Sequence, residues 1–254
     1  MVIQFKKICL VVLCLCAMHS YGQQTERYRN FDKHYRIGLE LFEKEKYSAA
    51  EKEFDKVILN RDLVAENEYI DAQYYKAASA AALYHPDAVM LLKNFISNYP
   101  SESKTRLAWF QLAILYFKEK KWKSATEYFE KIDVSYLNDA EISEYYFKSG
   151  YSYFMKGDNL KAMAAFRQIT NVENKYRTAA NYYFGHISYL NKNYETALNT
   201  FQSLRGAETF GVLVPQYITH IYFVQGKYDS CIVAAKEAIE TPGAQNVPEI
   251  KRMM

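Results

Sequence analysis

The sequence predicts an all-α protein, an α-solenoid in which about six antiparallel helix pairs follow one another. Three observations lead to this prediction. Nine glycines and five prolines in 254 residues are too few for an all-β protein, which needs a turn about every 8 to 12 residues. Half of the residues are hydrophobic, which is enough to bury a core. Small side chains also recur along the chain at a nearly constant interval.

Residues 1–22 have the pattern of a cleavable export signal. Lys6 and Lys7 give a basic start, and residues 8–18 form an apolar run. Ser20 and Gly22 provide small side chains at the two positions that a signal peptidase inspects. We therefore predict cleavage after Gly22. An uncleaved membrane anchor is the alternative, but an apolar run of eleven residues falls short of the ~20 that span a bilayer.

Removal of this signal would change both the cysteine count and the charge. Three of the four cysteines and two lysines would be lost, which leaves Cys231 together with 30 basic and 29 acidic side chains. Lipidation is disfavoured because each of the three signal cysteines follows a large aliphatic residue. One cysteine allows neither an internal disulfide nor a multi-cysteine metal site. Without a lysine and arginine cluster, nucleic acid is not an expected partner.

The rest of the chain is predicted to have three parts. Residues 23–30 form a short N-terminal segment, residues 31–241 form the helical repeats, and residues 242–254 begin a truncated seventh repeat. The last assignment follows from the interval, because the next small residue after Thr219 would fall just beyond the last residue. The chain would then be part of a longer array, or its open end would dock on another molecule.

Two series of small residues define the repeat. The first is Gly38, Ala78, Ala113, Gly150, Gly185 and Thr219. The second is Ala50, Ala88, Ala125, Ala162, Ala197 and Cys231. The second series follows the first by 10 or 12 residues, and its own members are 34 to 38 residues apart. We predict that the two series meet where the helices of a pair cross, because small side chains let two backbones approach.

Large residues keep the same interval. Four positions after the second series come Phe54, Leu92, Phe129, Phe166, Phe201 and Ala235. Three positions further on come Val57, Phe95, Ile132, Ile169, Leu204 and Ala238. Spacings of four and three place these side chains on one helical face. An irregular helical bundle is the alternative, but a bundle would not require a constant interval.

The segments YRIGLELFEKEKYSAAEKEFDKVI, FQLAILYFKEKKWKSATEYFEKI and YITHIYFVQGKYDSCIVAAKEAI resemble the tetratricopeptide repeat family. That family places a small residue in the first helix, an aromatic after the turn, an alanine in the second helix and an aromatic four residues on. The resemblance covers roughly residues 31 to 240, in six repeats, and it implies that the helix pairs form a right-handed superhelix. Two departures are Pro215, where the family prefers a large residue, and a turn shortened by two residues in the second repeat.

The resemblance also implies a binding groove. In this family, the concave wall is formed by first-helix residues three before, one after and four after the small position. Thirteen of these eighteen positions hold an aromatic residue or a histidine, namely Tyr35, Phe42, Tyr75, Phe110, Phe117, Phe147, Tyr151, Phe154, Tyr182, His186, Tyr189, His220 and Phe223. Family members that clamp a terminal carboxylate use lysine and asparagine there, so that mode is not expected. An aromatic wall suits protein or peptide segments with apolar anchors. Alternatively, these rings pack first helices against one another.

No catalytic or cofactor-binding pattern accompanies the repeats. The histidines after the signal lie in different repeats, and acidic residues alternate with lysines as on a solvated face. We therefore predict a non-enzymatic scaffold of the bacterial cell envelope, in the periplasm or outer envelope, that needs no cofactor. Association with the outer membrane would be peripheral and through partners. The alternative is a helical platform of a peptidoglycan- or glycan-handling envelope system. The oligomeric state is not predicted.

Overall fold

The computed structural model describes residues 32–244 and 246–254, which fall into two compact units. The boundary lies between Leu115 and Tyr116, within one helix. The predicted signal peptide, residues 1–22, and the segment 23–30 lie outside the described residues. None of the described residues belongs to a β-strand. The all-α prediction is therefore confirmed.

Thirteen α-helices form most of the described chain. Helix α1 is described over residues 32–43. The others are α2 (Tyr47–Leu59), α3 (Glu66–Ala82), α4 (Ala88–Asn98), α5 (Ser103–Lys118), α6 (Trp122–Phe129), α7 (Asp139–Met155), α8 (Asn159–Arg167), α9 (Arg177–Leu190), α10 (Tyr194–Gln202), α11 (Val214–Val224), α12 (Tyr228–Glu240) and α13 (Val247–Arg252). Short 3₁₀ helices follow α2 and α6. Among the described helices, none combines the length and apolar character that crossing a bilayer requires.

The first unit contains α1 to α4 and most of α5. Helix α3 packs against both α2 and α4. A core cluster of the first unit contains Phe54 and Val57 of α2, which are fully buried, together with Ala50 and Ala72. Partly buried residues of α1, among them Leu39, pack against this core. Burial of apolar surface against neighbouring helices is therefore what holds this unit together.

The second unit shows the stacking expected of repeats. Helix α8 packs against α7 and α9, α10 against α9 and α11, and α12 against α11 and α13. Each second helix therefore contacts the first helix of its own pair and the first helix of the next. Helix α13 lies in the segment 242–254 and buries Ile250 against Ala235 and Ala238 of α12. Stability in such an arrangement is close to a sum of neighbouring contacts.

The small residues make room for an aromatic ring. All twelve members of the two small series are buried. A β-carbon added at Gly38 would lie 2.7 Å from the Phe54 ring, and one added at Gly185 would lie 2.9 Å from the Phe201 ring. Both rings are fully buried and belong to the second helix of the same pair. The first small residue is thus required by the ring opposite it as well as by the approach of the backbones.

The turn within each pair has one backbone geometry. One residue in each turn has a left-handed conformation, with φ between 56° and 80°. These residues are Glu45, Tyr84, Lys120, Gly157, Lys192 and Gly226. In all six pairs the next backbone N–H donates to the carbonyl five residues earlier, at 2.8 or 2.9 Å. This is the Schellman ending of a helix, which satisfies carbonyls that would otherwise lack partners. The same helix ending therefore directs the chain into every second helix.

The second pair is offset by one residue from the others. In five pairs the left-handed residue comes seven positions after the first small residue, but Tyr84 comes six positions after Ala78. Ala77, seven positions before Tyr84, is fully buried and is the structural equivalent. Helix α4 also begins directly at Ala88, whereas Ala50 is the fourth residue of α2. The predicted shortening of this turn is therefore wrong: the second helix begins later, and the connection from α3 to α4 is longer than the one from α1 to α2.

Candidate partner-binding face

The thirteen residues predicted to line a groove all lie on the first helices of the six pairs. We call them the groove set. Phe110 is buried, with 5% exposure, and Phe223 is exposed, with 42%. The other eleven are half-buried. A half-buried aromatic ring can pack against its neighbours and still offer an edge to a partner.

In the first unit the groove set forms part of an aromatic cluster. The Phe42 ring lies edge-on to the Tyr75 ring, with 5.0 Å between ring centres. Phe42 also makes an edge contact of 5.3 Å with Tyr47 at the start of α2. Edge-to-face pairs of this kind add stability beyond the area that they bury. These rings therefore contribute to packing between successive helices.

A polar group joins three first helices of the same unit. The Tyr35 hydroxyl donates to Asp71 Oδ2 at 2.9 Å, and Lys104 Nζ donates to the same oxygen at 2.7 Å. Lys104 Nζ also lies 5.3 Å from the centre of the Tyr75 ring. Burial, together with the Asp71 carboxylate, raises the pKa of Tyr35 well above its usual value. Tyr35 therefore remains a hydrogen-bond donor at neutral pH, and its hydroxyl is already occupied.

Three tyrosines occupy one equivalent place, nine positions before the left-handed turn residue. They are Tyr75, Tyr183 and Tyr217. Each stacks on the buried phenylalanine of the preceding pair, with 5.0 to 5.7 Å between ring centres. The phenylalanines are Phe54, Phe166 and Phe201. In the sequence analysis, Tyr75 and Tyr182 were both assigned to the position three before the small residue. For Tyr75 this assignment is one residue out of register, because the position was counted from Ala78 and not from Ala77. These tyrosines cover the core.

In the second unit the groove set begins with a triangle of rings. Phe117, Trp122 and Tyr151 contact one another edge-on, with ring centres 5.5 to 5.8 Å apart. Phe147 stacks on Tyr176 at 4.8 Å. Tyr176 lies in the connection before α9. One face of the Phe147 ring is therefore covered by a residue that the sequence did not place in the groove set.

Like Phe147, Tyr182 stacks on an aromatic ring from a connection between helices. Its ring stacks on Phe210, in the connection before α11, with 4.5 Å between ring centres. Burial and a hydrogen bond with Tyr217 raise its pKa. The neighbouring Tyr183 has its pKa raised to about 12, chiefly by burial and further by Tyr151. At neutral pH these hydroxyls are protonated, so this part of the face presents uncharged rings.

His186 lies among aromatic rings rather than charged groups. Its ring is edge-on to Phe154 at 5.8 Å and to Tyr217 at 5.5 Å. Its Nδ1 is buried and has no hydrogen-bond partner among the described residues. Burial lowers its pKa, because burial disfavours the protonated ring. His186 therefore adds a neutral ring to the face.

The groove set ends on α9 and α11. The Tyr189 hydroxyl and His220 Nδ1 are hydrogen-bonded at 3.0 Å. Phe223 has ring contact with Tyr228 at 6.4 Å, yet 42% of its surface is exposed. Phe223 is therefore the most exposed member of the groove set.

Sequence reasoning missed two kinds of residue. Tyr176 and Phe210 lie in connections, outside the repeat register, so periodicity could not reveal them. Tyr183 and Tyr217 are in register, but their position is not aromatic in every repeat, so the pattern there is weak. The described histidine, cysteine and acidic side chains form no group of three or more that could hold a metal ion.

Comparison with known proteins supports the repeat assignment. A tetratricopeptide repeat family model matches residues 144–172, which include most of α7 and all of α8. Helix α7 begins with a capping box between Asn138 and Glu141, and Asp158 caps α8. No curated protein matches the sequence. The matched segment is therefore one helix pair whose ends are well defined.

Solved structures of other proteins share the fold. The C-terminal part of a tetratricopeptide repeat-containing protein from Cytophaga hutchinsonii is 13% identical with a TM-score of 0.61, over 90% of this chain and 94% of that one. Pseudomonas aeruginosa pilF is 14% identical with a TM-score of 0.56, over 90% and 99%. Naa15/Naa10 bound to HypK-THB is 12% identical with a TM-score of 0.56, over 88% and 33%. Residues 144–172 thus match the tetratricopeptide repeat family, and the described helix pairs share the fold of these solved structures.

Proposed function

We propose that this protein is a protein–protein interaction scaffold of the bacterial cell envelope. The observation that carries the proposal is the run of half-buried aromatic residues on α7, α9 and α11, which continues to the exposed Phe223. Such rings bury a large area at little cost in side-chain entropy. One protein of similar fold, Naa15/Naa10, is bound to HypK-THB, which illustrates the general role.

The partner is proposed to be an extended or helical segment with apolar anchors. The tyrosines of this face are protonated and His186 is neutral, so apolar side chains can approach without burying an unpaired charge. Binding energy in such interfaces is concentrated in a few aromatic residues. Phe154 and Phe223 are suited to this role because they lie nearest the turns on α7 and α11.

Site-specific photo-cross-linking tests this proposal. A benzophenone amino acid is placed at Phe223 on the first helix α11, or at Leu160 on the second helix α8, where the side chain is 81% exposed. Both proteins are irradiated in envelope extract, and their cross-linked products are compared by mass spectrometry. We expect reproducible protein cross-links at position 223 that exceed those at position 160 by tenfold or more, on the order of a hot-spot contribution.

Equal cross-linking at the two positions would contradict a binding face on the first helices. Cross-linking of glycan strands in place of protein would favour the glycan-handling alternative. Circular dichroism of both purified proteins provides the control, because the two side chains are exposed and their replacement should leave the helical signal unchanged.

Export is the second part of the proposal. It rests on the basic start at Lys6 and Lys7 and on the apolar run that follows. Protein produced from its complete coding sequence is expected in the envelope fraction with Gln23 as its first residue, as determined by mass spectrometry. Protein that retains residues 1–22 in the cytoplasmic fraction would contradict export.

A further inference from the structure

A small pocket lies between three successive first helices of the second unit. It has a volume of about 160 Å³ and lies between α9, α11 and α13. It is lined by Tyr189, Gln216, Tyr217, His220, Asn246, Glu249, Ile250 and Met253. This volume accommodates one side chain of a partner and not a helix. Two of its lining residues, Tyr189 and His220, belong to the groove set.

The walls of the pocket are aromatic, and most of its polar groups are already paired. The Tyr189 and Tyr217 rings meet edge-on with 5.1 Å between centres. The Tyr189 hydroxyl bonds to His220 Nδ1 at 3.0 Å, and Asn246 Nδ2 donates to Gln216 Oε1 at 2.8 Å. These internal hydrogen bonds hold the walls in place. The lining side chain that carries a negative charge is a carboxylate.

That carboxylate is Glu249. Glu249 is exposed, and it takes part in none of the ion pairs found among the described residues. Glu249 lines the pocket together with Tyr189. Burial is the main cause that raises the pKa of Tyr189, the neighbouring Tyr194 and Tyr217 add to it, and the charge of Glu249 adds a smaller contribution. Lys251 and Arg252 lie on the same helix but do not line the pocket. Rings beside one unpaired negative charge form a site suited to a cation.

We propose that this pocket binds a lysine or arginine side chain of the partner segment. The cationic end would lie against the tyrosine rings and pair with Glu249, while the methylene groups would contact Ile250. This inference rests on the proposed scaffold function and extends it: beside the apolar anchors, the partner carries one basic anchor. Glu249 then selects the partner by charge.

Two capped amino acids serve as probes. Acetyl-arginine amide carries the cation, and acetyl-citrulline amide has nearly the same shape without the charge. Binding of each to the purified protein from residue 23 onwards is followed by amide chemical shifts in NMR titrations. We expect shifts confined to α9, α11 and α13, and at least about threefold tighter binding of the arginine probe, as an exposed ion pair with a cation–π contact provides.

Glu249→Gln is expected to reduce this preference to about one. Glu195→Gln is the matched control, because Glu195 is an exposed residue of the second helix α10 and the charge change is the same; it should leave the preference unchanged. Equal binding of the two probes by the unaltered protein, or a preference that survives Glu249→Gln, would overturn the proposal. Protein cross-links at position 223 in the absence of an arginine preference would reject this pocket while retaining the scaffold.

Discussion

Replacement of Phe201 by alanine is expected to lower the free energy of unfolding by about 4 kcal/mol. The ring is fully buried and lies in the core of the second unit. It meets Gly185 of its own pair and stacks on Tyr217 of the next pair, at 5.0 Å. Its removal leaves a cavity at a junction between pairs that the rigid helices cannot fill. Urea unfolding followed by circular dichroism measures the loss.

Phe223→Ala is the matched control for this substitution. The same side chain is removed from α11, but at a position that is 42% exposed. We expect a loss below about 1 kcal/mol, since substitutions away from the core are usually small in effect. Similar losses for the two variants would mean that Phe201 does not join the pairs as described.

Gly185→Val should lower the free energy of unfolding by about 3 kcal/mol. A β-carbon there would lie 2.9 Å from Cε1 of Phe201 and 3.2 Å from the Thr200 methyl group. The ring is enclosed on all sides, so the helices must separate to admit the new atoms. Thermal unfolding followed by circular dichroism measures the change.

Gly206→Val provides the control for Gly185→Val. Gly206 is exposed and has no heavy atom within 4 Å of an added β-carbon, so we expect a change within about 0.5 kcal/mol. A stable Gly185→Val variant would show that the first small residue is not needed to seat the ring. The difference between the two glycines thus separates packing from a general effect of valine in helical proteins.

Much of the fold could be predicted because the packing within each helix pair requires small and large residues at positions that recur at a nearly constant interval. A ring such as Phe166 is tolerated only opposite a residue such as Gly150, where an added β-carbon would lie 3.0 Å away. The pairs with Gly38 opposite Phe54 and Gly185 opposite Phe201 repeat this requirement, so the interval is kept even where neighbouring residues vary. The number of helix pairs could therefore be predicted from the interval between small residues.

The one-residue offset of the second pair could not be predicted in the same way. Ala77 and Ala78 are both small and both buried, so side-chain size does not distinguish them. The register is set by the left-handed backbone at Tyr84. A glycine in the sequence would have indicated this conformation, whereas a tyrosine does not. For this reason Tyr75 was assigned to the position three before the small residue, which is one residue out of register.

The candidate site was predictable in composition and less so in detail. The groove set indicated an aromatic face, and the structure places eleven of its members in half-buried positions. Contacts between residues far apart in the sequence could not be predicted from the repeat interval. Examples are the stacking of Phe210 on Tyr182 and the position of Glu249 beside Tyr189. Both depend on connections and on α13, whose placement the repeat interval does not specify.

The central claim is that the first small residue and the ring of the second helix pack against each other within a pair. A double-mutant cycle between Gly185→Ala and Phe201→Leu tests it most directly. Because leucine leaves space where the ring stood, Gly185→Ala should be less destabilising in the leucine background, with a coupling of at least about 1 kcal/mol. Additivity within about 0.5 kcal/mol would contradict the account.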